Sequence, residues 1–253
     1  MIRRAFTLVE LLVVIAIIGL LSSVAVVATS STREKARIAA AQSFEAQLDR
    51  TLGSYLVGKY DLEEGSGTAV ADLSGSGNNG TFAGAPSWSS DTPYASSRYS
   101  LGFNGSGNYA YTAGGFGIAN SNFTVGLWIK TTGTNGQMYV FANTGDANGY
   151  RFGLTTGRVS FLVGGNVDLY TEGACSTQTV NDGRWHHIAG VFAKSSQRFY
   201  CYIDGHLAGT VTLNSVCSNM RDGAAVIGSG SYGNAFVGNL DNVRVYASDM
   251  SGG

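Results

Sequence analysis

Glu10 is the residue of this 253-residue chain that most needs a chemical reason. It stands inside an apolar run, and from Leu11 to Thr32 no charged side chain follows it. Wound as a helix, that run is long enough to cross the ~30 Å hydrocarbon core of a bilayer. A carboxylate near one end of such a span is costly unless it is paired, so Glu10 marks function rather than packing. A second oxygen-rich stretch is Asp72-Leu-Ser-Gly-Ser-Gly-Asn-Asn-Gly80. It supplies carboxylate, amide and freely turning backbone, the donors of a hard cation such as calcium, which takes about six to eight oxygens. The same residues also read as an Asx-rich turn that satisfies its own backbone.

Other reactive residues are sparse. Glycoside hydrolysis needs two carboxyl groups about 5 to 9.5 Å apart. Beyond residue 58 the glutamates are Glu63, Glu64 and Glu172, and no close pattern unites them. His186 and His187 are adjacent on a candidate strand, where neighbours point to opposite faces, so they do not form a dyad or share a metal. They read as part of a core strand with Trp185 and Ile188. A sugar ring would stack on exposed aromatics; the loop residues available are Trp88, Tyr94 and Tyr232, which could equally form small satellite cores. Of the cysteines, Cys201 shares a strand face with Phe199 and Ile203 and reads as a buried small hydrophobe. Cys175 and Cys217 lie in turn-rich segments and form the favoured disulfide, with three free thiols as the alternative. No Cys/His spacing suits structural zinc.

The elements that must carry these residues fall into two parts. Residues 6 to about 56 contain no proline. Ile38, Ala41, Leu48, Leu52 and Tyr55 recur at helical spacing, so one long helix is expected, apolar first and amphipathic after Thr32. Arg3 and Arg4 precede the run and, by the positive-inside bias, keep the N-terminus cytoplasmic. After Tyr60 the language is of strands: Phe123, Val125, Leu127 and Ile129 alternate on one face, and further short strands follow, including Met138–Ala142, Trp185–Phe192, Arg198–Ile203 and Gly238–Tyr246. Asp204-Gly205 is a hairpin turn signal. The fold class expected is α+β, mainly β: a long N-terminal helix followed by an antiparallel β-sandwich. The chain carries 36 glycines, 13% charged residues and a net charge of −1, with no basic cluster of the kind that binds nucleic acid.

Two resemblances sharpen this. Ala5-Phe-Thr-Leu-Val-Glu10 resembles the processing motif of type IV pilins and pseudopilins, with Ala5 where that family usually has glycine. The resemblance implies a leader at 1–5, cleavage by prepilin peptidase between Ala5 and Phe6, methylation of the new N-terminus, and a role for Glu10 in assembly with other pilin subunits. It also implies residence in the bacterial inner membrane before transfer to a cell-surface pilus. The ordered series Asp72-x-Ser-Gly-x-Gly-Asn-x-Gly80, Ser100-Leu-x-Phe-Asn-Gly, Phe123-Thr-Val-x-Leu-Trp-Ile, Trp185-His-His-Ile-Ala, Tyr202-Ile-Asp-Gly and Gly238-Asn-Leu-Asp-Asn-Val-Arg-Val-Tyr246 resembles the laminin-G-like, concanavalin-A-type jelly rolls. It implies a sandwich over 58–247 after a pilin helix at 6–57, with a tail at 248–253. It also implies a structural Ca²⁺ on Asp72, Asn78 and Asp241.

The function expected is a pilin-like, minor subunit of a type IV pilus or related fibre, displaying a lectin-like sandwich for adhesion to a carbohydrate or surface protein. The alternatives are a pseudopilin of a type II secretion or DNA-uptake machine and, behind it, a membrane-tethered glycoside hydrolase. No enzymatic activity is expected, because the catalytic carboxylate pair is missing.

Overall fold

The structure, a computed structural model, describes residues 7–84, 87–119, 121–134, 137–143, 149–163, 173–213, 220–228 and 235–250, with backbone alone at 24–30, 137, 163 and 173. One helix, α1, spans Leu8–Leu52. Thr7 is its N-cap, and a reciprocal capping box with Glu10 satisfies amides that would otherwise be orphaned at the first turn. At 1.5 Å per residue, α1 is about 68 Å long. A single 3-10 turn, Gly53–Tyr55, tightens its end and leads directly into β1, Leu56–Tyr60. The helix therefore stops four residues short of the expected limit near Leu56, because the chain from Leu56 pairs with the last strand instead.

The two halves of α1 have different surroundings. From Leu8, 79% exposed, to Leu21, 62% exposed, the large apolar side chains are exposed. Ala41, Phe44, Leu48 and Leu52 are buried against the sandwich. Among the described residues no helix is long and apolar enough to cross a membrane.

Sixteen strands form two antiparallel sheets among the described residues. The first contains β4 (Ser87–Ser89), β5 (Ser100–Asn104), β7 (Phe123–Lys130), β12 (Trp185–Ala193), β13 (Arg198–Ile203), β14 (His206–Thr212) and β16 (Val237–Tyr246). Its order is β14-β13-β12-β7-β16-β5-β4, with β1 pairing on the second half of β16. The second contains β2 (Ala69–Val70), β3 (Gly80–Ala83), β6 (Tyr109–Thr112), β8 (Gln137–Asn143), β9 (Tyr150–Thr155), β10 (Arg158–Val163), β11 (Gly173–Thr179) and β15 (Ala225–Ile227), in the order β11-β10-β9-β8-β15-β6-β3-β2. This is the expected sandwich. Strands β4 and β11 are not legible in their Ser- and Thr-rich sequences.

Phe123, Val125, Leu127 and Ile129 point into the core between the sheets, as their alternation required. The opposite face of the first sheet is covered as well, because α1 lies on it. That is why β12, Trp-His-His-Ile-Ala-Gly-Val-Phe-Ala, is buried at every position instead of alternating. Ile188 belongs to the sandwich core, while Trp185 and His187 pack under the helix. The hairpin between β13 and β14 turns through Asp204 and Gly205, both at positive φ (50° and 83°), as a two-residue primed turn requires.

The expected Cys175–Cys217 bridge is replaced by Cys175–Cys201, with the two Cα atoms 5.9 Å apart. The reason is β11. Because residues 173–179 form an edge strand rather than a loop, Cys175 is carried over Cys201 on β13 of the other sheet, and the bond staples the sandwich at that edge. Gly209 on β14 permits the approach, since a Cβ there would collide with the Cys175 carbonyl oxygen. Cys201 is buried as expected, but as a bonded sulfur. Cys217 lies outside the described residues.

Candidate functional site: the helix dock and the cavities beside it

Glu10 closes the capping box. Its Oε2 accepts from the Thr7 backbone N–H at 2.8 Å and from the Thr7 hydroxyl at 2.7 Å, and its own N–H donates to Thr7 Oγ1 at 3.3 Å. The carboxylate thus faces the N-terminal end of α1. Ala5 and Phe6 lie outside the described residues.

The second half of α1 is held by three polar anchors around an apolar seam. Arg37 reaches Asp204 Oδ2 at 2.8 Å and His186 Nδ1 at 2.9 Å, and also donates to Glu34 and to the Trp185 carbonyl. These bonds hold the Glu34 and Asp204 carboxyls below the usual range, although burial pulls Asp204 the other way. His186 sits between Asp204 and Asp182. Glu45 accepts from Trp128 Nε1 at 3.0 Å, and Asp49 accepts from the Tyr246 hydroxyl at 2.6 Å. Between the anchors, Phe44 stacks on Tyr202 and meets His187 edge-on. His187 is fully buried and neither ring nitrogen finds a hydrogen-bond partner among the described residues. Burial accordingly depresses its pKa to about 4.

A cavity of about 420 Å³ opens beside this dock, lined by Asp61, Glu63, Tyr94, Ser97, Arg98 and Arg244 among others. A β-bulge in β16 shapes it: the register against β7 slips between Asp241 and Arg244, and Asn242 takes φ 48°. Asp241 lies behind the cavity wall, fully buried. Its Oδ2 accepts from the Ser97 hydroxyl at 2.7 Å and its Oδ1 from the Asn242 N–H at 2.8 Å. The same Ser97 hydroxyl lies 2.9 Å from Glu63 Oε1 and 3.2 Å from the Tyr99 carbonyl, so one proton faces three acceptors. Burial first, then the neighbouring Glu63 and Glu45 charges, push the Asp241 carboxyl up to about 7.

Each of the expected metal ligands has hydrogen-bond partners within the chain. Asp72 accepts from the backbone N–H groups of Lys59, Ser74 and Asn78, which is the Asx-turn arrangement. The Asn78 side chain donates to the Val57 carbonyl, and Asp241 has Ser97 and Asn242 as its partners. Among the described residues no three His, Cys, Asp or Glu side chains are grouped to hold a metal. Of the expected aromatics, Trp88 packs edge-on against Phe82 and donates to the Gly67 carbonyl. Tyr94 packs against Trp128 and accepts from Asn242 through its hydroxyl, although it lines the cavity. Tyr232 lies outside the described residues. Sequence reading missed Glu63 and Ser97 as partners of Asp241. The Asp-Asn pair in β16 was the available signal, because an Asn at the second position tolerates the left-handed geometry of a bulge.

Residues 104–252 match the sequence family described as the concanavalin A-like lectin/glucanases superfamily. The chain belongs to that superfamily. Residues 1–26 match the prokaryotic N-terminal methylation motif, so the protein joins a pilin-type N-terminus to a lectin-like sandwich. No curated protein sequence matches it. Among solved structures the sandwich is similar to domain 4 of AbnA, a GH43 extracellular arabinanase from Geobacillus stearothermophilus solved with arabinotriose. The TM-score is 0.62 at 17% identity, covering 78% of this chain and 94% of that one. It is also similar to the binding domain of Paraclostridial Mosquitocidal Protein 1 (TM-score 0.62, 14% identity, 78% and 50% covered). A botulinum neurotoxin type C structure, whose cell entry depends on two ganglioside molecules, gives a TM-score of 0.60 at 12% identity, with 78% and 49% covered. The chain spans about half the length of both toxin structures. At these identities the likeness concerns the fold.

Proposed function

We propose that this protein is a minor, pilin-like subunit of a type IV pilus or related surface fibre, and that its sandwich binds carbohydrate outside the cell. The observation that carries the reading is the division of α1. Its first half is apolar, exposed and capped by a carboxylate, while its second half is locked to the sandwich by Arg37, Glu45 and Asp49. An exposed apolar helix surface of that length calls for lipid and then for other helices. In the fibre, Glu10 exchanges its Thr7 partners for the methylated amine of Phe6 on a neighbouring subunit, which offsets the burial of both charges. The family and the arabinotriose and ganglioside contexts of its structural neighbours support a glycan as the ligand.

The reading is non-enzymatic. Asp241, the carboxyl with the raised pKa, is fully buried behind Ser97 and does not line the cavity, so no sugar reaches it to take its proton. Calcium remains part of the proposal through Asp241 alone of the expected ligands. The surplus of oxygen acceptors from Glu63, Ser97, Asp241 and the Tyr99 carbonyl is the chemistry a hard cation relieves. The deciding experiment is incorporation of Glu10→Ala into fibres. The proposal expects loss of the subunit from sheared fibres with normal membrane levels; unchanged incorporation overturns it. Binding of the purified protein to a glycan panel separates this reading from the pseudopilin alternative, in which the sandwich contacts secretion machinery.

A further inference from the structure

α1 does not run the whole length of the sheet face it covers. Arg37 meets the first residues of β12, at Trp185 and His186, and Phe44 reaches Tyr202, the cross-strand partner of Ala189. By Asp49 the helix has reached Tyr246, and it ends at Leu52. The helix thus crosses the sheet obliquely, from the start of β12 to the end of β16, and the far ends of β12 and β13, from Val191 and Tyr200 onward, lie beside it at the end opposite its apolar half. A groove of about 390 Å³ lies there. Its floor is made by Val191 and Ala193, small side chains beside the bulkier Tyr200 and Tyr202 that project from the same face of β13. Asp249 and Met250 form the opposite wall, and Ser195 and Ser196 line the turn at its mouth. Phe44 stacks on Tyr202.

We infer that this groove is the carbohydrate subsite of the sandwich. The inference rests on the lectin reading above and names its place, which neither Trp88 nor Tyr94 supplies. The volume lies in the range of small-ligand sites, about 300–1,000 Å³. Its surfaces match the two sides of a sugar. Tyr200 and Tyr202 offer an aromatic wall for the C–H face of a pyranose or furanose ring, while the exposed Ser195 and Ser196 hydroxyls accept hydrogen bonds from its hydroxyls and donate to them. The position also fits the ligand, because the groove opens at the end of the sandwich farthest from the membrane-facing half of α1.

The test uses the full-length protein in detergent on a printed panel of arabino-, gluco-, galacto- and sialo-oligosaccharides. It compares wild type with Tyr200→Ala, Tyr200→Phe and Ala193→Trp, with near-UV circular dichroism to verify folding. The expected result is at least tenfold weaker binding for Tyr200→Ala and for Ala193→Trp, which fills the groove, and near wild-type binding for Tyr200→Phe, which keeps the stacking face. Wild-type binding that all three folded variants retain would overturn the groove and leave the lectin reading standing. Absence of glycan binding by the wild type would overturn both. Loss of fibre incorporation by Ala193→Trp without loss of glycan binding would reassign the groove to a contact with a second copy of the chain.

Discussion

Replacing Asp241 by Asn should change how stability depends on pH, and replacing His187 by Phe should change it in the opposite sense. Asp241 is buried with a pKa of about 7 against an ordinary 3.8. The folded chain holds that proton more tightly than the unfolded chain, so the carboxyl contributes stability that is full below about pH 4. It is lost as pH rises to about 7. At about 1.4 kcal/mol per pH unit the contribution is about 4 kcal/mol. His187 is buried neutral with a pKa of about 4 against an ordinary 6.5. Its contribution is full above pH 6.5 and lost as pH falls to about 4, by about 3 kcal/mol. The two residues flank Trp128 on neighbouring strands, and between pH 4 and 6.5 their slopes nearly cancel. The assay is urea unfolding in detergent with EDTA, followed by tryptophan fluorescence from pH 4 to 8. Relative to wild type, Asp241→Asn should gain about 4 kcal/mol between pH 4 and 7, and His187→Phe should gain about 3 kcal/mol as pH falls from 6.5 to 4. A difference from wild type that stays constant with pH in either variant would refute the burial argument for that residue.

Calcium should reverse the first result: added to the wild type at pH 7.5 it should raise the melting temperature, and in Asp241→Asn or Glu63→Gln it should not, whereas an equal rise in Asp72→Ala would separate the site from the Asx turn. Leu48→Ala removes the centre of the helix dock and should cost about 2–5 kcal/mol, seen as increased proteolysis between α1 and β1 with the sandwich left intact. Arg37→Met removes the cation that joins α1 to Asp204 and the Trp185 carbonyl, leaving Asp204 with His186 and the His187 N–H, and should destabilise the dock by about 1.5–3 kcal/mol, measured by the same unfolding assay. Cys201→Ser should lower stability by about 2–4 kcal/mol, and peptide mapping of the unreduced protein should recover the Cys175–Cys201 pair.

Much of this molecule is determined by local pattern. The apolar run, the Thr7 and Glu10 pair at a spacing of three, and the absence of proline specify a capped, continuous helix, since each acts within one or two turns. Alternation in Phe123–Lys130 and the Asp204-Gly205 turn specify strands and a hairpin for the same reason. What only the tertiary structure decided depends on residues far apart in sequence. The disulfide partner of Cys175 was settled by β11 joining an edge of the second sheet, a pairing that its weak Gly-Ala-Cys-Ser-Thr-Gln-Thr sequence does not announce. The docking of α1 on the first sheet turned Trp185 and His187 into interface residues, and period-two alternation says nothing about what covers a strand's second face. Asp241 acquired its proton affinity from burial and from the Glu63 and Glu45 charges, which outweigh the opposing Ser97 hydrogen bond at the bulge in β16. The groove at Tyr200 exists because the helix crosses the sheet obliquely onto β16 and leaves the ends of β12 and β13 beside it.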